Sequence, residues 1–164
     1  MRQKLWETHA QWWQKGFTDG ADAEYEEQIL PLAADLLAGF DRILDVGCGE
    51  GQITRRLTTQ NSRVLGIDAA WAQIRVAAAR SNSAGYVRGS AQALPFCNGV
   101  FDAAIACLVF EHIVEIEDAI SEVARVLRPT GRFVLMLNHP LIQTPGSGWV
   151  EDHIANPPSQ YWRI

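Results

Sequence analysis

The stretch "LDVGCGEGQ", Leu44 to Gln52, places three glycines in five positions directly behind an apolar run. Residues Arg42 to Val46, "RILDV", read as a short buried strand, and "GQITRRLTTQ" reads as a helix with Ile53 and Leu57 four apart on one face. Gly47, Gly49 and Gly51 therefore sit in a strand-to-helix turn with almost no side chain on one side. Such a turn lets a ligand approach the backbone, and the following helix start offers unpaired N–H groups and a partial positive charge. A dinucleotide fingerprint requires glycine at position 52, where Gln52 stands, so the spacing is G-x-G-x-G instead.

Outward from this turn, strands and helices alternate. "RVLGID" (63–68) is a second strand and "WAQIRVAAARS" (71–81) an Ala-rich helix. "GYVRGS" (85–90) is a third strand, and "FDAAIACLVF" (101–110) is apolar throughout, as a central strand covered on both faces should be. "EDAISEVARVLRP" is a helix expected to stop at Pro129, and "GRFVLMLN" (131–138) is the last clear strand. This order predicts an α/β, Rossmann-like, doubly wound and mainly parallel sheet with helices on both faces. Ligands of such sheets bind beyond the carboxyl ends of the strands, where strand order reverses.

Two acids flank the glycines. Asp45, on the strand's carboxyl end, repels a pyrophosphate but favours a cation, and Asp68, at the tip of the next strand, is placed to accept the hydroxyls of a ribose. An amino acid joined to a nucleoside meets both demands, and S-adenosylmethionine has that make-up.

The ordered set "LDVGCGEG", "GID", "GSAQALPF", "FDAAIACLVFEHI" and "LRPTGRFVLMLNHP" resembles the successive motifs of class I S-adenosylmethionine-dependent methyltransferases. The small-molecule branch, typified by ubiquinone-biosynthesis enzymes and methyltransferase type 11 domains, is nearest in style. The resemblance covers residues 42 to 140 and implies S-adenosyl-L-methionine as cofactor. By it, Asp45, Gly47, Cys48, Gly49 and Gly51 surround the methionine portion. Asp68 holds the ribose, while Ala69, Ser90 and Ala91 border the adenine. Cys107 and Leu108 line the pocket near the sulfonium. Many relatives carry Asp where Ser90 stands, and a neutral hydroxyl accepts less strongly than a carboxylate.

Residues 1–39 form a helical N-terminal extension or lid, and residues 40–164 the methyltransferase core. In the extension, Tyr25, Ile29, Leu32 and Leu36 share one side, with Pro31 as a kink or restart. Trp6, Trp13, Phe17 and Tyr25 concentrate aromatic surface there. They either staple the extension to the sheet or close over the cofactor, with Phe17 and Tyr25 reaching its methionine end. His112 is the candidate general base, or else packs beside the cofactor, and Glu111 reads as a helix-start or solvated acid. No obligatory base is named by the sequence, and His9, His112, His139 and His153 lack metal-ligand spacing.

The 164 residues suit one domain, and a net charge of −5 argues against a nucleic-acid partner. "NPPSQY" at Asn156 has the letters of a base-flipping motif but follows the fifth strand, in the wrong place for one. Cys48, Cys97 and Cys107 read as reduced thiols of a cytoplasmic protein, with no signal peptide or membrane span visible. The tail after Asn138, rich in Gly, Pro and Asn, is expected to run as a loop. The family's sheet has two further strands, so the core reads as C-terminally incomplete. A bare fifth strand exposes an edge, which implies a homodimer through that edge or a longer parent chain.

The expected activity is methyl transfer to a small-molecule acceptor. Three alternatives stand beside it: a non-catalytic cofactor-binding or partner subunit, a nicotinamide-dependent dehydrogenase, and a nucleic-acid methyltransferase.

Overall fold

A computed structural model describes residues 2–16, 22–80, 83–139, 146, 148–152 and 159–163. Phe17 and His153 lie outside them, as does Asn156.

The five strands of the main sheet are β1 (Arg42–Val46), β2 (Arg63–Asp68), β3 (Gly85–Arg88), β4 (Phe101–Cys107) and β5 (Leu127–Met136). They lie in the order β3-β2-β1-β4-β5, with every pairing parallel. The chain leaves β1 toward β2 on one side and returns to β4 on the other, so the order reverses at β1. The glycine turn follows β1 at that switch point.

Burial follows the two-residue period of the strands. Ile43, Ala103 and Ile105 face one apolar layer with Leu30, Ala33, Leu37, Ile53 and Leu57. Leu44, Ala104 and Ala106 face the other, with Phe110, Ala119, Val123 and Val126. The first layer is supplied by α2 (Leu30–Leu36) and α3 (Gln52–Leu57), and the second by α5 (Ile116–Val126). β4 is buried along its whole length, as its unbroken apolar sequence requires. Helix α1 (Arg2–Gly16) lies against α4 (Trp71–Arg80) through a Gln14–Gln73 side-chain hydrogen bond of 2.8 Å.

Three expectations are corrected. Leu32 is half exposed, whereas Leu30, Ala33 and Leu37 are buried. The cause is a π-helical turn, Tyr25–Ile29, that runs without a break into α2. Its wider winding rotates everything downstream relative to a 3.6-residue period. Pro31 sits in the first turn of α2, where its missing N–H costs little, at the change from π to α winding, which is the restart the sequence offered as one of its two readings.

Helix α5 ends at Val126 rather than running to Pro129. Pairing jumps from Phe101↔Leu127 to Ala103↔Arg132, so residues 128–131 bulge out of the ladder, with Thr130 at a φ of +69°. Pro129 lies in that bulge, where the sheet asks no N–H of it.

The tail is not wholly a loop. β6 (Gly148–Asp152) and β7 (Ser159–Arg163) pair antiparallel, Trp149 opposite Trp162. Trp149, Val150, Tyr161 and Trp162 are aromatic or β-branched residues of the kind strands favour, a signal that the surrounding Gly and Pro obscure. Among the described residues no strand pairs with the outer edge of β5.

Candidate functional site

A cavity of about 680 Å³ opens over the carboxyl ends of β1, β2 and β4. Its wall holds most of the residues singled out from the sequence: Gly47, Cys48 and Gly49 from the turn, then Asp68 and Ala69 after β2. Ser90 and Ala91 follow β3, and Cys107 and Leu108 end β4, with Tyr25 and His112 completing the set. Asp45 and Gly51 are not in that wall.

The three glycines have different reasons to be glycine. All adopt left-handed φ values, +73°, +54° and +86°. A Cβ on Gly47 would lie 2.3 Å from Val109 Cγ2, and one on Gly51 2.6 Å from the Tyr86 hydroxyl. Only at Gly49 would a Cβ meet open space. The protein's own side chains thus explain two of the three, and the ligand-facing bend narrows to Gly49. Gly66, opposite Asp45 on β2, was not picked out as a site residue; a Cβ there would lie 2.8 Å from Cys48 Sγ. Glycine inside a strand is the signal of such close approach.

Asp68 faces the turn from the front. Its Oδ2 accepts from the Gly49 N–H at 3.0 Å and its Oδ1 from the Ala70 N–H at 2.7 Å. Burial raises its pKa against the effect of these two bonds, and Glu7 adds to the rise.

Asp45 departs from expectation in orientation. Only 2% exposed, it lies beneath the turn and accepts from Thr54 Oγ1 at 2.6 Å. Burial pushes its pKa up to about 7, Thr54 opposing the shift and Asp68 adding to it. Cys107 is raised to about 12, chiefly by burial, with a Tyr25 hydrogen bond lowering it and Asp45 raising it. Burial likewise raises Tyr25 and Cys48, so both keep their protons.

Glu50, in the middle of the turn, was not singled out by the sequence reading. It is 2% exposed and bridges Arg55 at 2.9 Å and Arg80 at 2.5 Å. Its ion pairs lock the turn to α3 and α4. Neither partner was read from the sequence: Arg55 stands five residues on, outside the usual three- or four-residue helical spacing, and Arg80 thirty residues on.

On the far wall, Leu108 carries a φ of +56°, unusual for a bulky residue, while its N–H reaches the Met136 carbonyl at 2.9 Å. The Ser90 hydroxyl accepts from the Gln92 N–H at 3.2 Å, and Gln92 in turn reaches Glu115. His112 is exposed and meets the Trp6 ring edge-on, centroids 4.9 Å apart. Trp6, from α1, also lines the cavity, where the sequence reading named Phe17 and Tyr25 but not Trp6. Glu111 is half-buried rather than solvated; its Oε1 accepts from Asn138 Nδ2 at 3.1 Å.

The fold and site have counterparts. Residues 44–135 match the family described as a methyltransferase domain. Over 119 residues the chain is 31% identical to YcgJ, an uncharacterised methyltransferase of Bacillus subtilis, covering 70% of this chain and 47% of that one. The crystal structure of YcgJ superposes with a TM-score of 0.63 at 28% identity, over 66% of this chain and 50% of that one. A demethylmenaquinone methyltransferase of Thermus thermophilus is 31% identical, over 71% of this chain and 55% of its own length. The 27-O-demethylrifamycin SV methyltransferase of Amycolatopsis mediterranei is 34% identical, over 73% and 48%. The chain spans about half the length of these curated relatives. A match running from the strand before the glycine turn to the end of β5 takes in the whole cavity floor, and the chain belongs to the class I S-adenosylmethionine-dependent methyltransferase family.

Proposed function

We propose that the cavity binds S-adenosyl-L-methionine and that the protein transfers its methyl group to a small-molecule acceptor. The observation that carries this reading is the juxtaposition of Gly49, open to the cavity, with Asp68 directly across from it. The residues present fit the cofactor. The cavity is in the size range of small-molecule sites, is left clear by the protein's own side chains, and is bordered by acids rather than bases on the turn side. Asp68 keeps lone pairs for a ribose beyond the two it gives to backbone N–H groups. Ala69, Ser90 and Ala91 border the adenine, with Ala91 presenting backbone. Gly47, Cys48 and Gly49 hold the methionine portion, and Gly51 opens the helix behind them. Cys107, Leu108 and Tyr25 lie toward the sulfur.

When bound, the cofactor supplies an already activated methyl on its sulfonium, so the chain's task is positioning and exclusion of water. Residues 1–39 serve as a lid: Trp6 meets His112 across the mouth, and Glu7 of α1 accepts from the N–H groups of Trp71 and Ala72 at 2.7 and 3.1 Å. His112 stands where a base would meet a poorly nucleophilic acceptor. The names of the Thermus and Amycolatopsis relatives support a small-molecule acceptor. The spacing G-x-G-x-G and the family match disfavour the nicotinamide and nucleic-acid alternatives.

The three cysteines are free, two of them buried, which suits a reducing cytoplasm. No helix among the described residues is long and apolar enough to cross a membrane. The open edge of β5, with Leu135 and Leu137 exposed, fits pairing with a second copy or with further chain. Sedimentation of the chain as a strict monomer would remove the dimer reading.

Calorimetric titration with S-adenosylmethionine, its demethylated product and NAD tests the cofactor assignment. The first two bind wild type and bind Asp68→Ala at least tenfold more weakly, and NAD does not bind. Equal affinity in the two proteins refutes the ribose role, and binding of NAD alone refutes the reading.

A further inference from the structure

The loop from Gly89 to Val100 joins β3 to β4 and supplies Ser90, Ala91 and Gln92 to the cavity wall. It has little regular structure of its own, a single bridge closing Ser90 onto Ala93. At its start the Gly89 N–H reaches the Asp68 carbonyl at 3.0 Å. Its later half is held by α5. Arg125 donates through Nη1 to the Phe96 carbonyl at 2.7 Å and Asn98 Oδ1 at 2.8 Å, and through Nη2 to the Leu94 carbonyl at 2.9 Å. Its other two N–H groups go to Glu122, Nε to Oε1 at 2.7 Å and Nη2 to Oε2 at 2.8 Å. That same Oε2 accepts the Leu94 N–H at 2.7 Å, and the Arg125 carbonyl accepts the Gly99 N–H at 3.0 Å. All five donors of the guanidinium are thus spent, three of them on the loop. Charged pairs three residues apart on a helix are common and, left to solvent, weak. This one differs because its fork closes on main-chain groups 28 to 31 residues upstream. The Arg125 hydrogen bonds hold the Glu122 carboxyl down to about 2, so the pair stays charged across the neutral range. Helix α5 is itself fixed, with Ala119, Val123 and Val126 in the core. Between the two anchors, the Ala91 N–H stands in the cavity wall with no hydrogen-bond partner among the described residues.

We propose that Glu122 and Arg125 of α5 are positioning residues for the ligand's base. Their fork fixes the loop at Leu94 and Phe96 and thereby sets where the Ala91 main chain meets the base edge. The proposal rests on the cofactor reading above. An N–H held in place donates to N1 of adenine, an acceptor, and is opposed by the N1–H of hypoxanthine. Holding the loop before the ligand arrives also spares the cost of ordering it on binding. A lysine at position 125 keeps the charge but offers three donors on a point ammonium and no planar fork. A glutamine at position 122 keeps the shape, while its amide nitrogen no longer accepts from Arg125 or Leu94.

The test is calorimetric titration of the whole chain with S-adenosylhomocysteine and with S-inosylhomocysteine, which carries hypoxanthine in place of adenine. Wild type is expected to prefer the adenine ligand by about tenfold or more, the worth of one well-placed hydrogen bond. Arg125→Lys and Glu122→Gln should each lose most of that preference by weakening on the adenine ligand alone, the hypoxanthine ligand binding as before. A loss shared equally by both ligands overturns the proposal, since the pair then only supports the fold. An unchanged preference in the variants overturns it too, as does a wild type that binds the two ligands equally, and each of these leaves the cofactor reading intact. Amide exchange in the ligand-free wild type decides the matter if neither variant folds. The Leu94 and Gly99 amides should exchange at least about a hundredfold more slowly than that of Ala91, and comparable rates overturn the proposal. Failure of wild type to bind either ligand overturns the cofactor reading and this proposal together.

Discussion

Glu7 of α1 accepts two backbone hydrogen bonds at the start of α4, from Trp71 at 2.7 Å and Ala72 at 3.1 Å. A residue sixty-four positions upstream thereby does what a helix usually asks of the residue just before it. The contact pins α1 across the corner between Asp68 and Trp6, at the mouth of the cavity. Capping side chains contribute about 1 kcal/mol each, and a carboxylate at a helix start gains a little more from the dipole. Glu7→Ala should therefore cost roughly 1 kcal/mol in denaturant unfolding. Amide exchange in residues 6–16 should quicken more than in β1 or β4. Unchanged exchange in α1 would mean that other contacts hold it.

The glycines separate by what their Cβ would meet. Gly47→Ala meets Val109 at 2.3 Å at a left-handed φ, so it should destabilise the fold by about 2–4 kcal/mol. Val109→Ala in the same chain should restore part of that loss. Gly49→Ala meets no atom and should cost only about 1 kcal/mol, the strain of its φ. Its methyl nonetheless lies in a residue of the cavity wall, so affinity for S-adenosylhomocysteine should drop at least tenfold. Thermal melts and titrations on the three proteins check this; a Gly49→Ala protein with wild-type affinity would move the ligand away from the turn.

Asp45 sets a stability–pH relationship whose sign is opposite to that of a salt-bridged carboxylate. Its folded-state pKa, about 7, lies above the 3.8 of an unperturbed carboxyl. Between those values the folded chain holds a proton that the unfolded chain has lost, so stability falls as pH rises. The contribution is complete below pH 4 and gone once pH passes 7. Asp45→Asn removes the slope, so its stability relative to wild type should improve by about 2–3 kcal/mol between pH 5 and pH 8. Urea unfolding at the two pH values measures it, and a constant difference would show that Asp45 stays ionised.

Glu50 is buried, while its arginine partners are about a quarter to a third exposed. Glu50→Gln leaves two guanidinium groups that regain some water, so the loss should be about 2–3 kcal/mol, short of a fully sealed pair. The turn should loosen with it, and ligand affinity should fall alongside the unfolding free energy. Lost affinity without lost stability would make Glu50 a direct ligand contact.

The parts legible in the sequence are those written in contiguous residues. β1, β2 and β4 announce themselves as apolar runs, the glycine turn and Asp68 as punctuation after them, and their parallel order follows from the helices between. What escaped depends on contacts distant in the chain or on a local change of winding. Nothing in "YEEQI" declares a π-turn, yet that turn decides that Leu30 and Ala33, and not Leu32, enter the core. The reason Gly47 and Gly51 lack side chains is Val109 and Tyr86, which only the folded chain brings near. Asp45 was read as facing the ligand because strand tips commonly do. The Thr54 hydroxyl, three residues into α3, draws it beneath the turn instead.

The most direct measurement is a crystal structure of this chain grown with S-adenosylhomocysteine. Density is expected in the cavity over β1, β2 and β4, with the ribose at Asp68, the adenine beside Ser90 and Ala91, and the amino-acid end over Gly49. A ligand bound elsewhere, or lying in that cavity with its ribose away from Asp68, would contradict the account.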